Sequence, residues 1–194
     1  MKQQKTTNVD LLAELSVYDK VLKWFFAFPD GSFSVSDIAR GITASKAQTS
    51  RAIRRLQEEK FLNIKDFGNV WQVTPNKQHP FFITRKVPYN LQLVYESGLV
   101  DALLKQWPSA RAIVLFGSFR KGDDNETSDL DIAVETLERL DRVQTIHTGN
   151  VIFVPRTQPQ KVNVFLFNRK TVDANVFASI ANGIVMHGLL EVRP

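Results

Sequence analysis

The sequence predicts an α+β chain built in two parts. Residues 9–75 combine apolar residues at helical spacing with two short strand patterns, whereas residues 88–194 alternate helical patterns with apolar strands. Two prolines, Pro80 and Pro88, lie in the stretch where the pattern changes. We therefore predict an N-terminal domain over 1–75, a linker over 76–87 and a second domain over 88–194.

Composition and charge limit the functions open to the chain. Of the 194 residues, 43% are hydrophobic, which is enough for packed cores, and none is cysteine, which excludes disulfides, thiolate metal sites and a cysteine nucleophile. No apolar run approaches about 18 residues, so no membrane span is expected, and the N-terminus lacks the apolar core of a secretory signal. The missing cysteines suit a cytoplasmic location. The net charge of +5 permits nucleic acid, nucleotides or anionic lipid as partners.

The N-terminal part carries three helical patterns and a hairpin pattern. We predict helices over 9–28, 35–42 and 44–60, followed by strands over 61–64 and 70–73 around a glycine-containing turn. Thr43 is predicted to cap the third helix. The inward face of that helix is predicted to consist of Thr49, Ala52, Ile53 and Leu56.

This order of elements resembles winged-helix DNA-binding domains, and the third helix is basic. Between Ala44 and Leu56 the sequence contains no acidic residue. Basic and small polar side chains contact phosphates and base edges when a helix enters the major groove. A basic solvated surface and a protein-docking module are the alternatives. The predicted contacts to double-stranded DNA are Ser45, Lys46, Gln48, Ser50, Arg51, Arg54, Arg55 and, at the hairpin, Lys65.

The second part begins with a helical pattern over 91–107, followed by an apolar strand over 112–116 and a Gly117-Ser118 turn. Such a turn exposes main-chain N–H groups to an anion. Ten residues separate Ser118 from Asp129, and strand alternation would place Asp129 and Asp131 on one face with Cα atoms about 6–7 Å apart. Two carboxylates at that separation can bind divalent cations such as Mg²⁺. A turn that binds phosphate beside a site that binds a divalent cation provides the groups that nucleotidyl transfer from an NTP requires.

The segment AIVLFGSFRKGDDNETSDLDIAV resembles the signature of minimal nucleotidyltransferases of the DNA polymerase β superfamily, which have a mixed-sheet α/β domain. The resemblance implies that Asp129 and Asp131 bind two Mg²⁺ ions and are catalytic. It also implies nucleotide binding by Gly117, Ser118, Arg120, Lys121 and Ser128. For Arg120 and Lys121, a solvated loop is the alternative.

A third carboxylate that such enzymes carry is absent from the matching strand. Its position falls on Asn163, whose carbonyl oxygen can bind a metal ion but whose amide cannot accept a proton. Glu135 lies about 13 Å along its strand from Asp131, too far to share a metal, and Asp173 is expected to cap a helix. The three histidines, His79, His147 and His187, show no metal-ligand spacing.

Three functions are consistent with the sequence, and the least specific of them is that both halves are interaction modules. The first is an Mg²⁺-dependent nucleotidyltransferase that moves a nucleoside monophosphate from an NTP to a hydroxyl on a protein, RNA end or small molecule. By resemblance, antitoxins that AMPylate a HEPN-type RNase toxin provide one kind of protein partner. The alternative is a DNA-binding regulator whose transferase domain senses nucleotide or docks a partner. Because many winged helices bind DNA as dimers, a homodimer is expected.

Overall fold

The chain folds around two β-sheets, and the computed structural model describes residues 6–10, 12 and 15–192. The first half contains β1 (Thr6–Val9), α1 (Val17–Ala27), β2 (Phe33–Ser34), α2 (Val35–Gly41), α3 (Lys46–Glu58), β3 (Leu62–Asp66) and β4 (Trp71–Pro75). The second half contains α4 (Phe82–Glu96), α5 (Leu99–Gln106), β5 (Ala112–Phe116), α6 (Gly117–Lys121), β6 (Leu130–Glu135), β7 (Gln144–Phe153), β8 (Gln160–Phe167), α7 (Ala174–Ala181) and β9 (Ile184–Gly188).

Helices α1, α2 and α3 pack together beside a three-stranded sheet of order β2-β4-β3, which is the arrangement of a winged helix. The predicted inner stripe of α3 is confirmed, since its four residues are all buried. Ser45, and not Thr43, caps α3 by accepting a hydrogen bond from the main-chain N–H of Gln48. Thr43 lies in the preceding turn at φ +52°, outside the extended conformation that a capping residue adopts.

The predicted first helix, 9–28, is too long at its beginning. Helix α1 begins at Val17, because Ser16 caps it by accepting a hydrogen bond from the main-chain N–H of Asp19. Val9 instead ends strand β1, which pairs in parallel with β7 of the other sheet. Leu11, part of the predicted apolar stripe, lies outside the described residues. The segment 1–75 therefore contributes a strand to the second sheet as well as the winged helix.

The larger sheet is mixed and has the order β1-β7-β8-β6-β5-β9. Strand β6 runs antiparallel to β5 and parallel to β8. The register places Asp131 between Phe116 of β5 and Asn163 of β8. Residues 112–115 of β5 are fully buried, as expected for a strand covered on both faces.

The two halves share one hydrophobic core, and helix α4 joins them. The predicted linker, 76–87, is partly helical because α4 begins at Phe82 and continues through Pro88. The ring of Phe26 in α1 packs against Phe82 and Tyr89 of α4, with centroids 5.4 and 5.9 Å apart. The predicted helix 91–107 is divided into α4 and α5 at Gly98, which adopts φ +67°. Among the described residues, no helix has both the length and the apolar character needed to cross a bilayer.

Candidate active site and DNA-binding surface

Two carboxylates and one amide lie close together at the N-terminal end of β6. Asp129 directly precedes this strand, and Asp131 is its second residue. The side-chain Nδ2 of Asn163 donates hydrogen bonds to Asp129 Oδ2 at 3.3 Å and to Asp131 Oδ1 at 3.0 Å. The structure thus brings together the three residues that the sequence assigns to metal binding.

The electrostatic balance of this cluster favours an added cation. Burial raises the pKa of Asp131, the hydrogen bond from Asn163 opposes that rise, and the nearby charge of Asp129 adds to it. The amide N–H group supplies only part of the positive field that two adjacent carboxylates require. Asn163 Oδ1 is buried and has no hydrogen-bond partner among the described residues. A cation would therefore be stabilised by both carboxylates, and this carbonyl oxygen would join them once the amide reverses its orientation.

At Gly117 the main chain approaches this cluster closely. It adopts φ +72°, and a Cβ atom added there would lie 2.6 Å from Asp131 Oδ2. Only glycine combines this left-handed conformation with such a close approach. The turn that the sequence assigns to phosphate binding consequently lies in direct contact with Asp131.

The short helix α6 carries the other predicted nucleotide contacts. Ser118 and Arg120 are partly exposed, and Lys121 is exposed. The Nε atom of Arg120 is buried and lacks a hydrogen-bond partner in the described chain. The helix ends at Gly122, whose main-chain N–H donates to Ser118 O at 2.8 Å. Two cationic side chains thus follow the Gly117 turn directly.

Ser128 has a partner within its own loop. Its hydroxyl accepts a hydrogen bond from the main-chain N–H of Asn125 at 3.0 Å and lies 3.3 Å from Asn125 Oδ1. These contacts shape the loop that leads to Asp129. A contact to nucleotide by Ser128 would have to compete with them.

Two other acids have structural partners. Glu135 is buried at the opposite end of β6, where Arg169 forms a two-pronged ion pair with it, at 2.6 and 3.0 Å. Asp173 caps α7 by accepting from the main-chain N–H of Asn175 and Val176, which confirms the sequence-based interpretation. In the described residues no group of three or more His, Cys, Asp and Glu side chains is arranged to hold a metal ion.

The histidines are separated in the fold, as their spacing indicated. His79 stacks on Phe61, with ring centroids 3.7 Å apart, and His187 lies on the edge strand β9. His147 is different, because it pairs with Asn163 across β7 and β8. Sequence reasoning missed this residue because strand register over such a separation leaves no local signal.

The predicted DNA-binding residues divide between two sides of α3. Lys46 and Ser50 lie beside the tip of the β3–β4 hairpin, and with Gly68 and Asn69 they line a groove of about 330 Å³. Arg54 extends over the ring of Trp71 in β4, 4.9 Å from its centroid. Helix α3 and the β3–β4 hairpin, which we call the wing, thus form one continuous surface.

On the other side of α3, Arg55 is held by protein contacts. It pairs with Glu59 at 3.1 Å and lies over the Tyr18 ring. Arg51 is exposed and forms no ion pair within the described part of the chain. Exposed positions are also occupied by Ser45, Gln48 and Lys65, although Ser45 caps α3 and Lys65 lies within β3. Arg51 is therefore freer than Arg55 to bind phosphate.

Comparisons with known proteins bear on each half. A family model described as "Nucleotidyltransferase domain" matches residues 96–175. A search of curated protein sequences found no match. Residues 96–175 include the Gly117 turn, the acidic pair and Asn163.

Similar solved structures include two DNA-binding proteins. BpsR from Bordetella bronchiseptica, whose DNA binding is regulated by 6-hydroxynicotinic acid, is 17% identical, with a TM-score of 0.35 over 48% of this chain and 78% of that one. MepR from S. aureus in complex with DNA is 13% identical, with a TM-score of 0.35 over 50% of this chain and 81% of that one. The winged-helix assignment depends on the order and packing of α1–α3 and the hairpin. The chain therefore combines a winged-helix unit with a segment, residues 96–175, that matches the nucleotidyltransferase domain family.

Proposed function

We propose that this protein is an Mg²⁺-dependent nucleotidyltransferase with an attached DNA-binding domain. The observation that carries the proposal is the contact between Gly117 and Asp131, which sets the turn expected to bind phosphate against a carboxylate expected to bind a cation. In the reaction, a hydroxyl oxygen of the acceptor bonds to the α-phosphorus of an NTP. The bond from that phosphorus to the leaving pyrophosphate breaks, and the hydroxyl proton is released.

The residues of the site would have two roles in this reaction, metal binding and phosphate binding. Asp129 and Asp131 would hold Mg²⁺, with Asn163 contributing its carbonyl oxygen after its amide turns away from the carboxylates. When bound, Mg²⁺ neutralises charge on the triphosphate. Gly117 and Ser118 would donate main-chain and hydroxyl hydrogen bonds to phosphate oxygens, while Arg120 and Lys121 supply positive charge. The donor set fits one cation well and offers no third carboxylate for a second ion.

Label transfer tests this proposal. The protein is incubated with Mg²⁺ and each of the four labelled NTPs, alone and with candidate acceptors, which include the product of the neighbouring gene and a HEPN-type toxin. We expect transfer with the wild type and its loss with Asp129→Ala and Asp131→Ala. Asp141→Ala, which removes an exposed acid outside the cluster, is the matched control and should retain activity. Transfer that survives the loss of both cluster acids would refute the assignment.

We propose further that α3 and the wing bind double-stranded DNA. The support is the groove between Lys46 and the hairpin tip, together with the exposed side chain of Arg51. Removing one phosphate-binding side chain should reduce the slope of log affinity against log salt by about 1. Mobility shifts should show this reduction for Arg51→Ala and not for Lys105→Ala, an exposed control on α5. Equal salt slopes for the two variants would exclude Arg51 as a phosphate contact, and an equal slope for Lys46→Ala as well would exclude α3 as the DNA-binding helix.

A second candidate function is a DNA-binding regulator that senses nucleotide without turnover. It is favoured by the presence of Asn163 beside the two acids, since an amide at this position cannot take up the proton of an acceptor hydroxyl. Mg²⁺-dependent binding of an NTP with no label transfer to any acceptor would support this function over the transferase. A homodimer, detectable by sedimentation, would suit either function.

A further inference from the structure

A third polar side chain lies in line with the acidic pair across the sheet. In the register of the sheet, Asp131 of β6 is opposite Asn163 of β8, and Asn163 is opposite His147 of β7. Side chains at directly opposite positions on neighbouring strands point to the same face, with Cβ atoms about 4.5–5.5 Å apart. Because Asn163 contacts Asp131 directly, His147 is placed on the face that carries the candidate active site, one strand beyond the amide.

His147 is accessible from solvent through a cavity. Its side chain is exposed, and with Gly149, Asn150 and Lys161 it lines an opening of about 280 Å³. Lys161 precedes Asn163 by two residues in β8, so strand alternation places both on one face. The register shift between His147 and Gly149 makes a bulge, and bulges commonly redirect side chains near active sites. A cavity with an imidazole and an ammonium group thus opens on the face of the sheet that carries the acidic pair, with His147 two strands from Asp131.

The residues assigned so far include no group that accepts the proton of the acceptor hydroxyl. Transfer to a hydroxyl requires a group that accepts its proton, and Asn163 cannot do so. Asp129 and Asp131 are assigned to the cation, which competes with protons for their oxygens. Histidine is the side chain that most readily accepts a proton near neutral pH.

We propose that His147 is the general base of the transfer reaction and that the His147–Lys161 cavity receives the acceptor hydroxyl. This inference rests on the proposed transferase function. The O–H bond of the acceptor breaks, its proton passes to an imidazole nitrogen, and its oxygen bonds to the α-phosphorus as pyrophosphate leaves. Lys161 would orient the acceptor through its positive charge. His147 lies too far from the acids, two strands away, to share their cation.

The test compares His147→Ala with His187→Ala, a matched control that removes an exposed histidine from the far edge of the sheet. General bases contribute about 10²–10⁴-fold, so His147→Ala should lower kcat by about 100-fold or more while His187→Ala stays near wild type. Free imidazole should restore part of the lost activity, since the opening admits it. Mg²⁺-dependent NTP binding, measured by calorimetry, should be unchanged in both variants.

A second variant separates chemistry from packing. Adding Asn163→Asp to His147→Ala should restore transfer, because the new carboxylate can take the proton. If the wild type transfers no label, the proposed function itself fails, and His147 loses its assigned role with it. If the wild type is active, two results overturn only the assignment of His147: activity of His147→Ala within about twofold of wild type, or a loss that neither imidazole nor Asn163→Asp repairs.

Discussion

Lys86 of α4 forms an ion pair with Asp124, with 3.2 Å between Nζ and Oδ1, and both side chains are fully buried. Asp124 lies in the loop between α6 and β6 that leads to the candidate active site. Its other oxygen binds Arg156, whose Nε donates to the main-chain oxygen of Ala27 at the end of α1. One buried carboxylate therefore connects the winged helix, the joining helix and the loop that precedes Asp129.

Asp124→Asn should destabilise the whole chain. Removing one partner from a buried ion cluster costs about 3–5 kcal/mol, because the remaining charges stay buried without compensation. Here Lys86 and Arg156 would be left together. Asp30→Asn is the matched control, since Asp30 forms an exposed pair with Lys77, and such pairs contribute about 0–1 kcal/mol. Urea unfolding followed by circular dichroism would measure both, and equal losses would contradict a special role for Asp124.

Gly117→Ala should reduce both stability and transfer activity. A side chain there costs about 1–2 kcal/mol for the left-handed conformation, and its Cβ would also displace the Asp131 carboxylate. Gly98→Ala is the control, because Gly98 has φ +67° but open space around its Cβ position. We expect thermal unfolding to show the smaller loss for Gly98→Ala, with its label transfer unaffected. Normal activity in Gly117→Ala would argue against a close phosphate-binding turn.

Asn163→Asp should make stability depend on Mg²⁺. Without the ion, three carboxylates would meet and the two hydrogen bonds from the amide would be absent, at a cost of about 1–3 kcal/mol. Mg²⁺ should reverse this destabilisation by binding all three acids, and transfer activity should rise above wild type. Melting temperatures in EDTA and in Mg²⁺, with Asn168→Asp as an amide control outside the cluster, would measure the effect. A melting temperature insensitive to Mg²⁺ would contradict a cation site.

Asp131→Asn should stabilise the protein at neutral pH in EDTA. Burial raises the pKa of Asp131 in the folded state, so the folded chain holds this proton more tightly than the unfolded chain. Above the pKa that Asp131 has in the folded state, ionisation of this carboxyl therefore lowers the free energy of unfolding. This destabilisation disappears below the pKa of an unfolded aspartate, about 3.9. The advantage of the variant over wild type should accordingly shrink as pH falls through that range. Urea titrations between pH 3 and pH 8 would test this, and an advantage independent of pH would exclude charge as its cause.

Features that depend on neighbours along the chain could be predicted from the amino-acid sequence. The apolar run of β5, the inner stripe of α3, the Gly117 turn and the spacing of the two acids are all local patterns. Each follows from side-chain periodicity or from a backbone conformation that few residues adopt. The position of Asn163 beside the acids also followed, because a strand that matched a family pattern could be aligned with β6.

The contacts between segments far apart in the chain became known only from the fold. Strand β1 pairs with β7 of the second sheet. Helix α4 packs between the two halves, which share one hydrophobic core. Glu135 forms an ion pair with Arg169. His147 becomes a neighbour of Asn163 through strand register. Pairing between distant strands and the partners of buried charges depend on the packing of the entire chain, and a single sequence carries no local pattern that specifies them.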